Sequence, residues 1–266
     1  MKSHPIIDAH CHIYPDKIAV RATAGTEDFY GLHAFSDGSV SSLVVSGKDA
    51  GITHFVVQSV ATSPAQVSGI NHFIASTVES SGGTMTGLGT LHPDSAHLKE
   101  EVEEIIALGL HGVKLHPDIQ RFKIDDYRCL KIYELCEGRL PILMHTGDYR
   151  YDFSNPNRLL PIMRIFTELT VVGAHLGGWS VWQDAENLTS LPNLYVDCCS
   201  CFPFAKDYDI YGLMRRYGAD KILFGSDFPI WSPRDELSAF LSLPFTEEER
   251  EKILFRNAVK VFNVSL

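Results

Sequence analysis

The sequence predicts a closed (β/α)8 barrel, and three observations predict it. The length of 266 residues is usual for a barrel of alternating strands and helices, which commonly runs to about 250 residues. Eight short β-branched or apolar runs recur along the chain with helical signals between them. These runs are too apolar to face water on either side, which favours a closed parallel barrel over a sheet with a solvated face. An open doubly wound sheet is the rival, and it calls for a glycine-rich phosphate turn after an early strand. Neither GxGxxG nor GxxxxGK(S/T) occurs, and TGLGTLHP and HLGG are too short to serve. No composition shift, repeat or low-complexity tract divides the chain, so one domain over residues 1–266 is expected.

Each element has its own signal. The first strand, PIIDAHCH, ends in two histidines one residue apart, and the long loop IYPDKIAVRATAGTEDFYGLHAF after it is expected to form a wall or lid. The second strand is ITHFVVQSV. After it Ser63 caps a helix, Pro64 suits the first helical position and Gln66 completes a capping box. The third strand is TMTGLGTLHP. In the following DSAHLKEEVEEIIALG, Leu98, Val102, Ile105 and Ile106 form one apolar stripe, the glutamates lie mostly off it, and Gly109 ends the helix. HGVKLHP, LPILMHTG, LTVVGAHLGG, NLYVDCCS and KILFGSDFP supply strands four to eight. A second capping box at Thr246-Glu247-Glu248-Glu249 then opens a terminal helix that offers Ile253, Phe255, Ala258, Val259 and Phe262 for burial.

Composition excludes several classes of function. A formal net charge of −10 and a pI near 5.6 work against binding nucleic acid, since phosphate recognition draws most of its affinity from Lys and Arg. No run of about 18 apolar residues and no basic, apolar and small-residue leader are seen, which predicts a cytoplasmic protein without a membrane partner. The six cysteines fit reduced, mostly buried thiols better than a disulfide framework.

In a barrel, chemistry collects at the C-terminal ends of the strands. His10 and His12 end the first, Lys114 and His116 the fourth, His145 the fifth, His175 the sixth and Asp227 the eighth, while His92 follows the third and Asp197 lies in the seventh. All approach one mouth. Residues i and i+2 of a strand share a face, so His10 and His12 converge, Cys11 points outward, and Asp8 falls on the histidines' face as a deeper acceptor. Two histidines alone read equally well as partly satisfied strand-end residues. With His145, His175 and Asp227 they make a shell suited to Zn2+ or another first-row divalent ion such as Mn2+.

DAHCH, GVKLHP, PILMHTG, GAHLGG, NLYVD, ILFGSDFP and the terminal RNAVKVF, in this order along the whole chain, resemble the amidohydrolase superfamily. The specific likeness is to its amidohydrolase 2 branch of small metal-dependent hydrolases and decarboxylases of the aminocarboxymuconate-semialdehyde and resorcylate types. The resemblance implies a distorted (β/α)8 TIM barrel in which His10, His12, His145 and Asp227 hold the metal. It makes His175 a nearby acid/base or a ligand to a second ion. Lys114 and His116 stand where binuclear relatives bridge two ions with a carboxylated lysine or a glutamate; the plainer expectation for Lys114 is a cation paired with a carboxylate. By the same analogy Asp227 takes the proton of a metal-activated water and returns it to the leaving group.

The expected substrate is a small organic ester, lactone or amide; nonoxidative decarboxylation of a small or aromatic acid is the alternative. Relatives of the decarboxylase kind are typically longer, which leans the expectation toward hydrolysis. Arg150 or Arg158 is a candidate for binding a substrate carboxylate, against pairing with Asp148 or Asp152. Tyr149, Tyr151, Trp179, Phe202 and Trp231 are candidates for an apolar pocket from the loops DYRYDFSNPNR and CSCFPFAKDYD. Acidic barrels of this kind often self-associate, so a homo-oligomer is admitted.

Overall fold

The computed structural model describes residues 4–205 and 207–265; Lys206, in the loop CSCFPFAKDYD, lies outside the described residues. Every predicted strand is present and in order: β1 (Ile7–His12), β2 (His54–Gln58), β3 (Met85–Gly87), β4 (Gly89–Thr90), β5 (Val113–Leu115), β6 (Ile142–Met144), β7 (Val171–Gly173), β8 (Leu194–Asp197) and β9 (Ile222–Leu223). The third predicted strand is thus split in two at Leu88. All pairings are parallel and sequential, within β1-β2-β3 and within β4 to β9.

Backbone hydrogen bonds join the two sheets. At one seam Leu88 N–H donates to Val57 O at 2.9 Å. At the other, Ala9 N–H donates to Phe224 O (2.9 Å), His12 N–H to Phe228 O (2.7 Å) and Asp227 N–H to His10 O (2.9 Å). The second seam ties the two ends of the chain's chemistry, HCH and SDFP, to each other directly.

The register of β1 shifts between Asp8 and Cys11, and this irregularity corrects one expectation. Ile7 and Ala9 join the inner core with Val56, Leu143 and Val172, whereas Cys11 packs in the outer core with Phe55 and Val57. Asp8 lies on the Cys11 side of the strand, not beneath the histidines. Its Oδ1 accepts the N–H of Ser226 (2.9 Å) and of His10 (3.2 Å), so it braces the β1–β9 seam. Counting residues by twos cannot anticipate a bulge, since one extra residue reverses the parity of everything before it.

The stretch expected as a loop after β1 is largely helical: α1 (Asp16–Tyr30) has an acid in its first turn and ends at Gly31 with φ +66°. It is followed by α2 (Val40–Ala50), capped by Ser39. A 3-10 turn over Pro64–Gln66 leads into α3 (Val67–Ser80). Ser63 makes no side-chain cap there; instead Gln66 Oε1 accepts Thr62 N–H at 2.7 Å, tying the turn one residue earlier than the predicted box. The remaining helices are α4 (Leu98–Ala107), α5 (Pro117–Gln120), α6 (Leu130–Cys136), α7 (Leu159–Ile165), α8 (Trp182–Ala185), α9 (Ile210–Tyr217), α10 (Pro233–Leu241), α11 (Glu247–Glu251) and α12 (Asn257–Phe262).

In α4 Leu98, Val102 and Ile105 are buried as the stripe predicts, while Ile106 stays exposed. The Thr246 capping box is present in full. A π-helical turn over Lys252–Arg256 links α11 to α12, and Ala258 and Phe262 of α12 pack on the inner core. All six cysteines are buried and free, including Cys198 and Cys201, which stand three residues apart. Among the described residues no helix is long and apolar enough to cross a membrane.

Candidate metal centre at the barrel mouth

The C-terminal ends of the strands deliver His10, His12, Lys114, His116, His145, His175 and Asp227 to the floor of one cavity of about 570 Å3. Three of them converge closely. His10 Nε2 lies 3.2 Å from His12 Nε2 and 3.5 Å from Asp227 Oδ1, and His12 Nε2 lies 3.7 Å from the same oxygen. A tetrahedral ion with bonds of about 2.0–2.2 Å needs ligand atoms about 3.3–3.6 Å apart, so this trio fits one divalent ion.

The protonation of His10 supports the fit. Asp197 Oδ2 accepts from His10 Nδ1 at 2.8 Å, which puts the lone pair on Nε2, the nitrogen that faces His12 and Asp227. Asp197 Oδ1 accepts the His175 N–H (2.9 Å) and the Cys199 thiol (3.0 Å), so one buried carboxylate orients two histidines. Burial, with Lys114 next, drives His10, His12 and His116 well below the usual imidazole range; burial and His116 do so for His145. Neutral imidazoles are the ligand form.

His145 shares the floor but stands one ring away from the trio. Its Nδ1 is 3.0 Å from His175 Nε2, and its Nε2 faces Gly147 O at 3.0 Å and Asp118 Oδ2 at 3.5 Å. His116, Asp118 and His145 form a second group of donors, yet the two imidazoles stack at 4.0 Å with planes 7° apart. Ring lone pairs lie in the ring plane, so two parallel rings cannot both aim at one ion, and the His10–His12–Asp227 trio is the better shell. His116 Nε2 instead meets Tyr30 OH of α1 at 2.7 Å. His175 is held with φ +60° and burial lowers it to about 4.

Lys114 is fully buried, and Nζ lies 2.9 Å from His10 Nε2. The expected carboxylate partner is not within ion-pair distance among the described residues, because Asp197 is turned to His10 and His175 and Asp227 to Ser200. Burial lowers Lys114 to about 8. Burial also raises Asp227, to about 7, against the pull of Ser200 and Lys114.

Asp227 is aimed by a relay that sequence reasoning missed. Trp231 Nε1–H donates to Ser200 Oγ (2.8 Å), which leaves the hydroxyl proton to donate to Asp227 Oδ2 (2.6 Å), and Oδ1 faces the two histidines. Ser200 itself has φ +56°. Ser200→Ala is expected to lower divalent-metal affinity ~10-fold or more, the scale of losing a group that orients a ligand, while Ser200→Thr keeps most of it. Equilibrium dialysis against Mn2+ checks this.

Behind the relay, Ser200 N–H donates to Glu236 Oε2 at 3.1 Å, and burial pushes the Glu236 acid from 4.5 up to about 9. The folded chain therefore keeps a proton that the unfolded chain releases, so this group's contribution to stability falls as pH rises from about 4.5 to about 9. Glu236→Gln is expected to flatten that decline, read from urea midpoints between pH 5 and pH 9.

Gly147, whose carbonyl faces His145, has φ +85°, and a Cβ there would meet the backbone of Gly178 and Trp179 at 2.4–2.6 Å. Gly147→Ala is expected to destabilise the fold by at least ~2 kcal/mol, measurable by denaturant unfolding.

The predicted substrate-binding residues lie elsewhere. Arg150 forks Asp148 with Nε and Nη2 (3.0 and 2.7 Å), and Nη1 donates to Phe29 O (2.6 Å). Three of its five N–H donors are thus engaged within the protein, and it does not line the main cavity. Arg158 is likewise taken by Asp125 and Asp152. Tyr149 is 73% exposed, outside the cavity. Trp179 and Trp231 line a small side recess next to His145 and Asp227, and the main walls come from α1 and α3.

Comparison with known proteins agrees with this arrangement. The solved structure of 5-carboxyvanillate decarboxylase from Sphingomonas paucimobilis is similar over 99% of this chain and 100% of its own (TM-score 0.77, 15% identity). A dihydroxybenzoic acid decarboxylase from Polaromonas with bound manganese matches over 98% and 97% (TM-score 0.76, 16% identity). A proposed 2-pyrone-4,6-dicarboxylic acid hydrolase from Pseudomonas putida matches over 99% of both chains (TM-score 0.68, 18% identity). No curated protein matches the sequence. At these identities the structures establish the (β/α)8 fold. The family model described as Amidohydrolase matches residues 7–264, nearly the whole chain, and the protein therefore belongs to the amidohydrolase family.

Proposed function

We propose that the protein is a metal-dependent hydrolase of a small organic ester, lactone or amide. The observation that carries this reading is the convergence of His10 Nε2, His12 Nε2 and Asp227 Oδ1 at ligand spacing on the floor of an accessible cavity. His10, His12 and Asp227 would hold a divalent ion, Zn2+ or Mn2+, with His145 and His175 next to them on the cavity floor. Such an ion supplies Lewis acidity that polarises a carbonyl and brings the pKa of water near 7. Asp227 takes a proton from the attacking water and returns it to the leaving group, while the Ser200 hydroxyl keeps Oδ2 in place. His175, which donates Nδ1–H to Cys199 O at 3.2 Å and so presents an unprotonated Nε2 when neutral, shares the proton transfer with Asp227 as a second acceptor. Lys114 keeps positive charge beside the same carbonyl.

Decarboxylation is the second reading, favoured by the decarboxylases among the similar structures. One of these is covered over its whole length, which removes chain length as a reason against a lyase. The reactions separate in 18O-labelled water with a panel of esters, lactones, amides and aromatic acids. Hydrolysis incorporates one label per turnover without releasing carbon dioxide. Carbon dioxide release without net addition of water would replace the hydrolase reading with the lyase.

A further inference from the structure

The cavity has two chemically different zones. Its floor is the histidine, lysine and aspartate cluster, and its sides are the facing surfaces of α1 and α3. On α1, Ile18 and Ala22 follow one another at helical spacing; on α3, Gly69, Ile70 and Phe73 do the same. A Cβ built on Gly69 meets nothing within 4 Å, so the absence of a side chain there leaves the groove open.

At the exposed mouth, one helical position before Ala22, stands Arg21, the one arginine among the described residues that line the cavity. Arg150 and Arg158 are consumed by internal carboxylates, whereas among the described residues no hydrogen bond or ion pair engages the Arg21 side chain. A small polar substrate handled by the floor alone would need neither an apolar groove of this kind nor a cation at its outer end.

We propose that the site takes an amphipathic organic acid derivative. Its reacting carbonyl sits over the floor, its hydrocarbon or aryl body lies between α1 and α3, and a second, anionic group is met by Arg21. The assignment of the floor rests on the proposed metal-dependent reaction; the assignment of the groove and of Arg21 does not.

Unreactive probes test it on the Mn2+-loaded full chain. Calorimetric titration with straight-chain monocarboxylates and α,ω-dicarboxylates of four to ten carbons is expected to show affinity rising about threefold to fourfold per added methylene until the groove is filled. At one chain length the dicarboxylate is expected to exceed the monocarboxylate by about tenfold, the scale of a charge-assisted bidentate pair. Arg21→Ala removes that advantage and Arg21→Lys restores part of it. Gly69→Leu truncates the length dependence but leaves the four-carbon acids unchanged, with circular dichroism showing the fold intact.

Affinity independent of chain length, or a Gly69→Leu protein with the wild-type length profile, overturns the groove. Dicarboxylates that bind no better than monocarboxylates at every length overturn the role of Arg21. Because the probes do not react, the catalytic role of Asp227 is judged separately, by turnover in Asp227→Asn at saturating Mn2+: wild-type turnover there would remove the proton-transfer role of Asp227 while leaving the binding result standing.

Discussion

His12→Ala is expected to lower the affinity for Zn2+ or Mn2+ by at least ~100-fold and to abolish turnover, with little effect on folding. The expectation follows from what His12 touches. Its Nε2 faces His10 Nε2 and Asp227 Oδ1 and makes no other polar contact among the described residues, so its removal costs a ligand and little internal structure. Displacing a group that only orients a ligand already costs about 10- to 100-fold in metal affinity, and losing the ligand costs more. Metal per chain after equilibrium dialysis, alongside the unfolding midpoint without metal, separates the two effects. Wild-type metal content in the variant would sink the ligand assignment.

Asp227→Asn is expected to lower kcat by ~10^2- to 10^4-fold, the usual scale for a positioned proton acceptor and donor. The amide preserves shape, and its oxygen can still accept from Ser200 Oγ, so the loss reports on charge and proton transfer at a preserved geometry. Metal affinity should fall too, since one of three converging ligand atoms becomes neutral. Measuring kcat at saturating Mn2+ isolates the proton-transfer part. If the rate at saturating metal equals that of the wild type, Asp227 is a ligand only and the proton must move elsewhere.

The strand-end residues were legible because a parallel barrel converts chain order into spatial convergence: runs that each end in a histidine or aspartate must bring those residues to one mouth. His10, His12 and Asp227 meet for that reason, across more than two hundred residues of sequence. What escaped reading depends on local irregularity. Asp8 moved to the seam because β1 changes register within its own length. Ser200 was hidden in a loop, its role set by a left-handed backbone and by an indole donor that no spacing rule joins to it.

Helix α1 did carry a signal, namely Ile18, Ala22 and Thr26 at helical spacing and a terminal Gly31, but its polar and small residues read as loop. The wall expected of this stretch is there, supplied by α1, and reading it as a helix would have placed Tyr30 on that wall as well. The pairing of Arg150 with Asp148 was legible in the spacing: an arginine two residues from an aspartate satisfies itself locally before it can reach a ligand.

The central claim, that His10, His12 and Asp227 hold the ion, is tested most directly by anomalous diffraction from crystals grown with Mn2+. The account predicts one strong anomalous peak within bonding distance of His10 Nε2, His12 Nε2 and an Asp227 carboxylate oxygen. A peak confined to His116, Asp118 and His145, with none at the trio, would contradict it.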